Sequence, residues 1–108
     1  MPTHQQIDAR TLALHREVAA KLRSDRALFE RAQATLRRWR STVSPSSQPY
    51  LIEWERLMDQ GLEATLAVAL EDSERAAALR QSSPFTGVLT PQERFAFLKA
   101  WNQRQGRV

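Results

Sequence analysis

Few residue types in this chain can do chemistry, and their spacing limits what they do. There are two histidines, His4 and His15, and no cysteine. The segment "RTLALH" puts Arg10 five positions before His15. Five residues overshoot one helical turn, so a helix brings the two together only loosely. His15 therefore reads first as a structural residue, and the catalytic test of converging groups is not met. Glu53 and Glu55 stand two apart and point to different helix faces, which suits neither acid nor base work as a pair. Glu71, Asp72 and Glu74 cluster at a helix junction, where capping explains them better than a metal that wants more oxygens. A glycine-rich phosphate loop is missing. No catalytic residue, metal or cofactor is expected, and the chain reads as a binding protein, not an enzyme.

Binding chemistry is better represented. "LRRWRS" sets Arg37, Arg38 and Arg40 around Trp39. At a helix C-terminus such arginines complement the macrodipole. They also form, with Arg23, Arg26 and Arg31, a candidate phosphate-binding edge. A helix-turn-helix built around Gly61 fares worse. Its recognition helix would be "EATLAVALED", which carries Glu63, Glu71 and Asp72 and no Lys or Arg. Acidic side chains oppose approach to phosphates and base edges.

The elements that must position these residues are helices. Ile7, Thr11, Leu14, Val18 and Leu22 recur at spacings of three and four, predicting a helix over 5–23. Ser24 or Asp25 supplies the next N-cap, and Leu28, Phe29, Ala32, Leu36 and Trp39 stripe a second helix over 26–40. The short link makes these two an antiparallel helical hairpin. "STVSPSSQP" is a loop. Pro49 suits a first helical position, Leu51, Trp54, Leu57 and Met58 line a third helix, and Gly61 can end it. "LEATLAVALED" is so apolar that it must be buried on more than one side. "SERAAALRQ" starts at Ser73. "TPQE" is a strong start signal, with Thr90 as cap, Pro91 first and Glu93 reaching back. The last helix carries Phe95, Phe97, Leu98 and Trp101. The expected fold is all-α: one domain over 1–108, a compact bundle of five to six helices with that hairpin at its N-terminus.

Between the last two helices lies "QSSPFTGVLTPQER". Pro84 stops a helix and Gly87 permits a turn. Phe85, Val88 and Leu89 can then tuck into the core. An apolar loop on a helical scaffold is equally a place for contacts. Ser83, Pro84, Phe85 and Thr86, with Trp101, are the partner-contact candidates.

Composition sets the remaining bounds. With 108 residues and 42% apolar content, the chain can bury one limited core. The net charge of +4 is unevenly laid out. Residues 1–47 hold nine Lys/Arg and four Asp/Glu, residues 48–79 two and seven, and residues 80–108 five and one. A basic–acidic–basic chain satisfies part of its own charge on folding, so basicity alone argues modestly for nucleic acid. No apolar h-region marks the N-terminus and no run approaches the roughly 20 residues that span a bilayer, so a cytoplasmic protein without membrane contact is expected.

The pieces "TLALHREVAAKLR", "YLIEWERLM", "DSERAAALRQSSPFTGVLTPQER" and "FLKAW" cover much of the chain. Their order and texture resemble the uncharacterised small helical bacterial proteins of toxin–antitoxin-like operons. The resemblance implies an antitoxin that binds and neutralises a cognate toxin protein, and it carries no catalytic residues. The alternative is a small basic DNA-binding transcriptional regulator acting on operator DNA through Arg31, Arg37, Arg38 and Arg40. The two roles can coexist, and either is compatible with a homodimer. The Arg10–His15 spacing is similar to that of helical HEPN ribonucleases, the weakest of the three readings.

Overall fold

Local capping chemistry explains where each helix begins. The computed structural model describes residues 3–85 and 87–106. Helix α1 (His4–Ser24) opens with a capping box: the Thr3 hydroxyl accepts the Gln6 N–H, and the Gln6 side chain accepts the Thr3 N–H. Asp25 alone separates it from α2 (Arg26–Thr42). Its N–H donates to the Lys21 carbonyl and closes α1, while its carboxylate accepts the Ala27 N–H and opens α2. The extended backbone of this one residue makes the hairpin.

A 3-10 turn over Pro45–Ser47 leads into α3 (Gln48–Asp59). Pro49 therefore takes the second helical position, not the first. Gly61, at φ 115°, lies in a region that favours glycine and serves as the N-cap of α4 (Leu62–Ala69), while Gln60 closes α3. Ser73 accepts the Ala76 N–H to start α5 (Glu74–Arg80). Thr90 and Glu93 form the expected box at the head of α6 (Pro91–Arg104). The described residues contain these six α-helices and no strand. No helix among them is long and apolar enough to cross a membrane.

One contiguous apolar cluster joins α1 through α5 to the loop before α6. Val18, Ala19 and Leu22 meet Phe29, Ala32 and Leu36 across the hairpin, and Leu51, Leu57 and Met58 extend the cluster along α3. Helix α4 is buried at Leu62, Thr65, Leu66, Val68 and Ala69, as its all-round apolar character requires. Trp54 is fully enclosed, and its indole N–H donates to the Leu79 carbonyl at 2.9 Å. An enclosed indole needs such a partner.

The loop enters this cluster. Phe85 is 2% exposed and stands edge-on to Trp54 at 5.6 Å and to His15 at 6.4 Å. Val88 is buried beside it. Phe85 and Val88 plug the core, and at these two positions the loop offers no surface for a partner. Ser83 and Pro84 are enclosed as well.

The three charge zones pair in part. Arg23 meets Glu63 at 2.9 Å and Arg40 meets Glu55 at 3.0 Å, joining the basic hairpin to the acidic middle of the chain. Lys21 reaches Glu93 and ties α1 to the start of α6. These pairs are solvent-exposed and screened, so each contributes little.

Truncating the plug tests its weight in the fold. Phe85→Ala should lower unfolding free energy in urea by about 3–5 kcal/mol, the usual cost of emptying a buried aromatic site. A loss under about 1 kcal/mol would show that Phe85 is not seated as described.

Candidate functional site

Three regions gather functional side chains, and they differ in accessibility. The first lies behind the plug, where α1 faces the loop. His15 Nδ1 is 2.8 Å from the Thr11 carbonyl. A carbonyl can only accept, so Nδ1 carries the hydrogen. Nε2 then accepts the Ser83 hydroxyl at 2.9 Å, across 68 residues of sequence. The Ser83 oxygen in turn accepts the Phe85 N–H at 3.2 Å. A serine on an oriented imidazole is also the layout that activates a nucleophile. Here the Ser83 oxygen holds the backbone of the plug and is almost wholly enclosed. Its evident work is to lock the loop to α1.

Burial pushes the His15 pKa below its usual value. The Thr11 hydrogen bond opposes this, and the nearby Arg80 charge adds to the lowering. Arg80 itself is 4% exposed. Its Nη1 donates to the Ala69 and Glu71 carbonyls at 3.0 and 2.8 Å, satisfying backbone oxygens at the end of α4. Desolvation lowers its pKa too, against the pull of Asp8, Asp72 and Glu71.

The second region is α6. Of its 14 residues only Phe97 is buried. Trp101 is half-buried, stacked on Phe97 at 6.2 Å, with the Arg104 guanidinium 5.3 Å from its ring centre. Phe95 is 69% exposed. It sits two residues from Phe97, about 200° round the helix, so both cannot face α1. Beside α6 and against α1 runs a groove of about 630 Å³. Ala20, Ala96 and Ala100 form its small-residue lining, Leu89 and Phe97 add apolar surface, and Lys21, Glu93 and Arg104 are charged. A second groove of about 450 Å³ joins Arg10 and Ile7 of α1 to Trp101.

The third region is the outer face of α2. Arg31, Arg37 and Arg38 are exposed, and none of them is in an ion pair among the described residues. Arg40 differs. Its guanidinium donates to Glu55 and Gln48 at 3.0 Å each, so it is turned back onto α3.

Of the partner-contact candidates, Ser83, Pro84 and Phe85 offer no free surface, and Thr86 lies outside the described residues. Trp101 remains half-buried at the surface, and Phe95 is exposed on the same helix. The i, i+2 separation of Phe95 and Phe97 was the available signal. Arg10 and His15 line different cavities and share no site. Glu53 and Glu55 each bind an arginine, Arg56 and Arg40. Among the described residues no group of three or more His, Cys, Asp or Glu is placed to hold a metal.

The His15 lock makes stability pH-dependent. Folding holds its pKa below the unfolded value of 6.5, so the stabilisation is complete above pH 6.5 and declines as pH falls through the folded pKa. Urea unfolding should give a lower free energy at pH 5 than at pH 7.5. His15→Gln should flatten that difference; an undiminished slope would assign it elsewhere. The lowered carboxylates Glu53, Glu63 and Glu93 lose their contribution at lower pH, beneath 4.5.

No protein-family model, curated protein or solved structure matches this chain.

Proposed function

We propose that this chain is an antitoxin-like protein that binds and neutralises a cognate partner protein, with α6 and its groove against α1 as the contact. The supporting observation is that α6 exposes nearly all of itself, including Phe95, while carrying Phe95, Ala96, Phe97, Leu98, Ala100 and Trp101. An isolated helix of this length is marginal in water, and helices draw most of their stability from packing an apolar face. One buried residue is little packing. Phe95, Leu98 and Trp101 recur every three residues and provide the large side chains that dominate binding energy. The groove lined by three alanines admits the close approach of a partner helix. The resemblance to small proteins of toxin–antitoxin-like operons points the same way.

Co-expression tests this. The product of an adjacent short gene should arrest growth alone, and this chain should relieve the arrest and co-purify with it. Phe95→Glu and Trp101→Ala should weaken the complex by about 2 kcal/mol or more each, roughly 30-fold in Kd. Phe95→Glu alters an exposed site, so its urea midpoint should stay close to the parent's. Unchanged affinity in both variants would remove α6 from the contact. Light scattering separates a second copy of this chain from a foreign partner on the same face.

A second reading rests on α2. Its exposed Arg31, Arg37 and Arg38 suit operator DNA or another polyanion. Under that reading, log Kd for duplex DNA varies steeply with log salt, and Arg37→Ala with Arg38→Ala reduces the slope by roughly two. Arg40→Ala should leave the slope intact. A double variant that binds like the parent would exclude this face.

A further inference from the structure

Behind the Phe85 plug lies a pocket of about 230 Å³ between α1, the loop and the start of α6. Leu14, Val18, Phe85 and Leu89 give it apolar walls. Its charged lining is Arg80 and Arg94, and no carboxylate among the described residues lines it. Arg80 is the unusual member. It is 4% exposed, yet no Asp or Glu oxygen within the described residues comes within 4.0 Å of it. Nη1 is spent on two backbone carbonyls. Nε is buried with no acceptor. Nη2 makes no hydrogen bond to a described residue either. A buried, unmatched N–H on a charged group opposes folding until an acceptor meets it. With Nε closed off, the guanidinium offers a ligand in the pocket its positive charge and its remaining N–H groups, which suit a carboxylate oxygen.

We propose that this pocket binds a small monocarboxylate with an apolar tail, its carboxylate on Arg80 and its tail against Leu14, Val18, Phe85 and Leu89. The volume is below the roughly 300–1,000 Å³ of drug-sized sites, which restricts the ligand to a short chain or single ring. Arg94, exposed on the first turn of α6, supplies a second cation at the pocket. The site is independent of whether α6 docks a partner.

Calorimetric titration of the full chain with hexanoate tests the proposal, with 1-hexanol and inorganic phosphate as comparisons. Hexanoate should bind saturably at one site per chain, and both comparison compounds at least tenfold more weakly. Arg80→Gln should reduce hexanoate affinity about tenfold or more, the worth of a charged hydrogen-bond pair. Because Arg80 also holds the end of α4, two variants that leave those bonds alone accompany it. Arg94→Gln should weaken binding about threefold, and Leu14→Trp, which fills the pocket from a half-exposed position, should abolish it. Absence of hexanoate binding to the parent protein would overturn the site. So would equal binding of 1-hexanol, equal binding of phosphate, or hexanoate affinity unchanged by both Arg94→Gln and Leu14→Trp.

Discussion

The placement of Phe85 depends on a relay of three hydrogen bonds, and much of the fold's closure depends on Phe85. The Thr11 carbonyl orients His15, His15 accepts the Ser83 hydroxyl, and the Ser83 oxygen accepts the Phe85 amide. The His15 ring, the Ser83 hydroxyl and the Phe85 amide are thereby matched. Without that matching, drawing a loop into an apolar cluster would leave unpaired backbone groups, each costing more than a typical hydrogen bond contributes. With it, the Phe85 ring can sit against Trp54, the centre of the cluster. Trp54 in turn binds the Leu79 carbonyl at the end of α5, so α3, α5, α1 and the loop are coupled through one set of contacts.

Closure of the core by the loop has a consequence for α6. Phe85 and Val88 already occupy the space that a last helix would otherwise fill. Helix α6 is left to lie along α1, held by Phe97, the Lys21–Glu93 pair and the half-buried Trp101. The residues that make it amphipathic on two sides then face water. The surface best suited to protein contact is in this sense a by-product of how the core is sealed.

The arginines divide by the same logic of burial. Arg40 and Arg23 pair with glutamates of neighbouring helices, and Arg80 is buried among backbone carbonyls. Arg31, Arg37 and Arg38 are exposed on α2 and make no ion pair among the described residues, although Arg37 borders a cavity shared with Glu55 and Asp59 of α3. A net charge spread evenly along the sequence would not distinguish these roles. Distance to the acidic middle of the chain does.

The helical class, the six helix starts and most of the core were legible from sequence. They depend on interactions within a few residues: the capping box at Thr90 and Glu93, the cap at Ser73, and apolar stripes at helical spacing. Boundaries moved where a single residue had two roles, as at Gly61, which starts α4, and at Pro49, displaced by a preceding turn. The role of the loop was half legible. Its turn residues showed that the chain leaves and re-enters helix, but whether Phe85 faced inward depended on His15, far away in sequence. Phe95 is left exposed while Phe97, two residues on, takes the buried side of α6, and Arg40 is drawn toward α3 by Glu55. Sequence by itself determined what short-range hydrogen bonding and helical periodicity can encode. The tertiary structure decided which apolar and charged side chains are left over, because burial and ion pairing are settled only when distant segments compete for the same space.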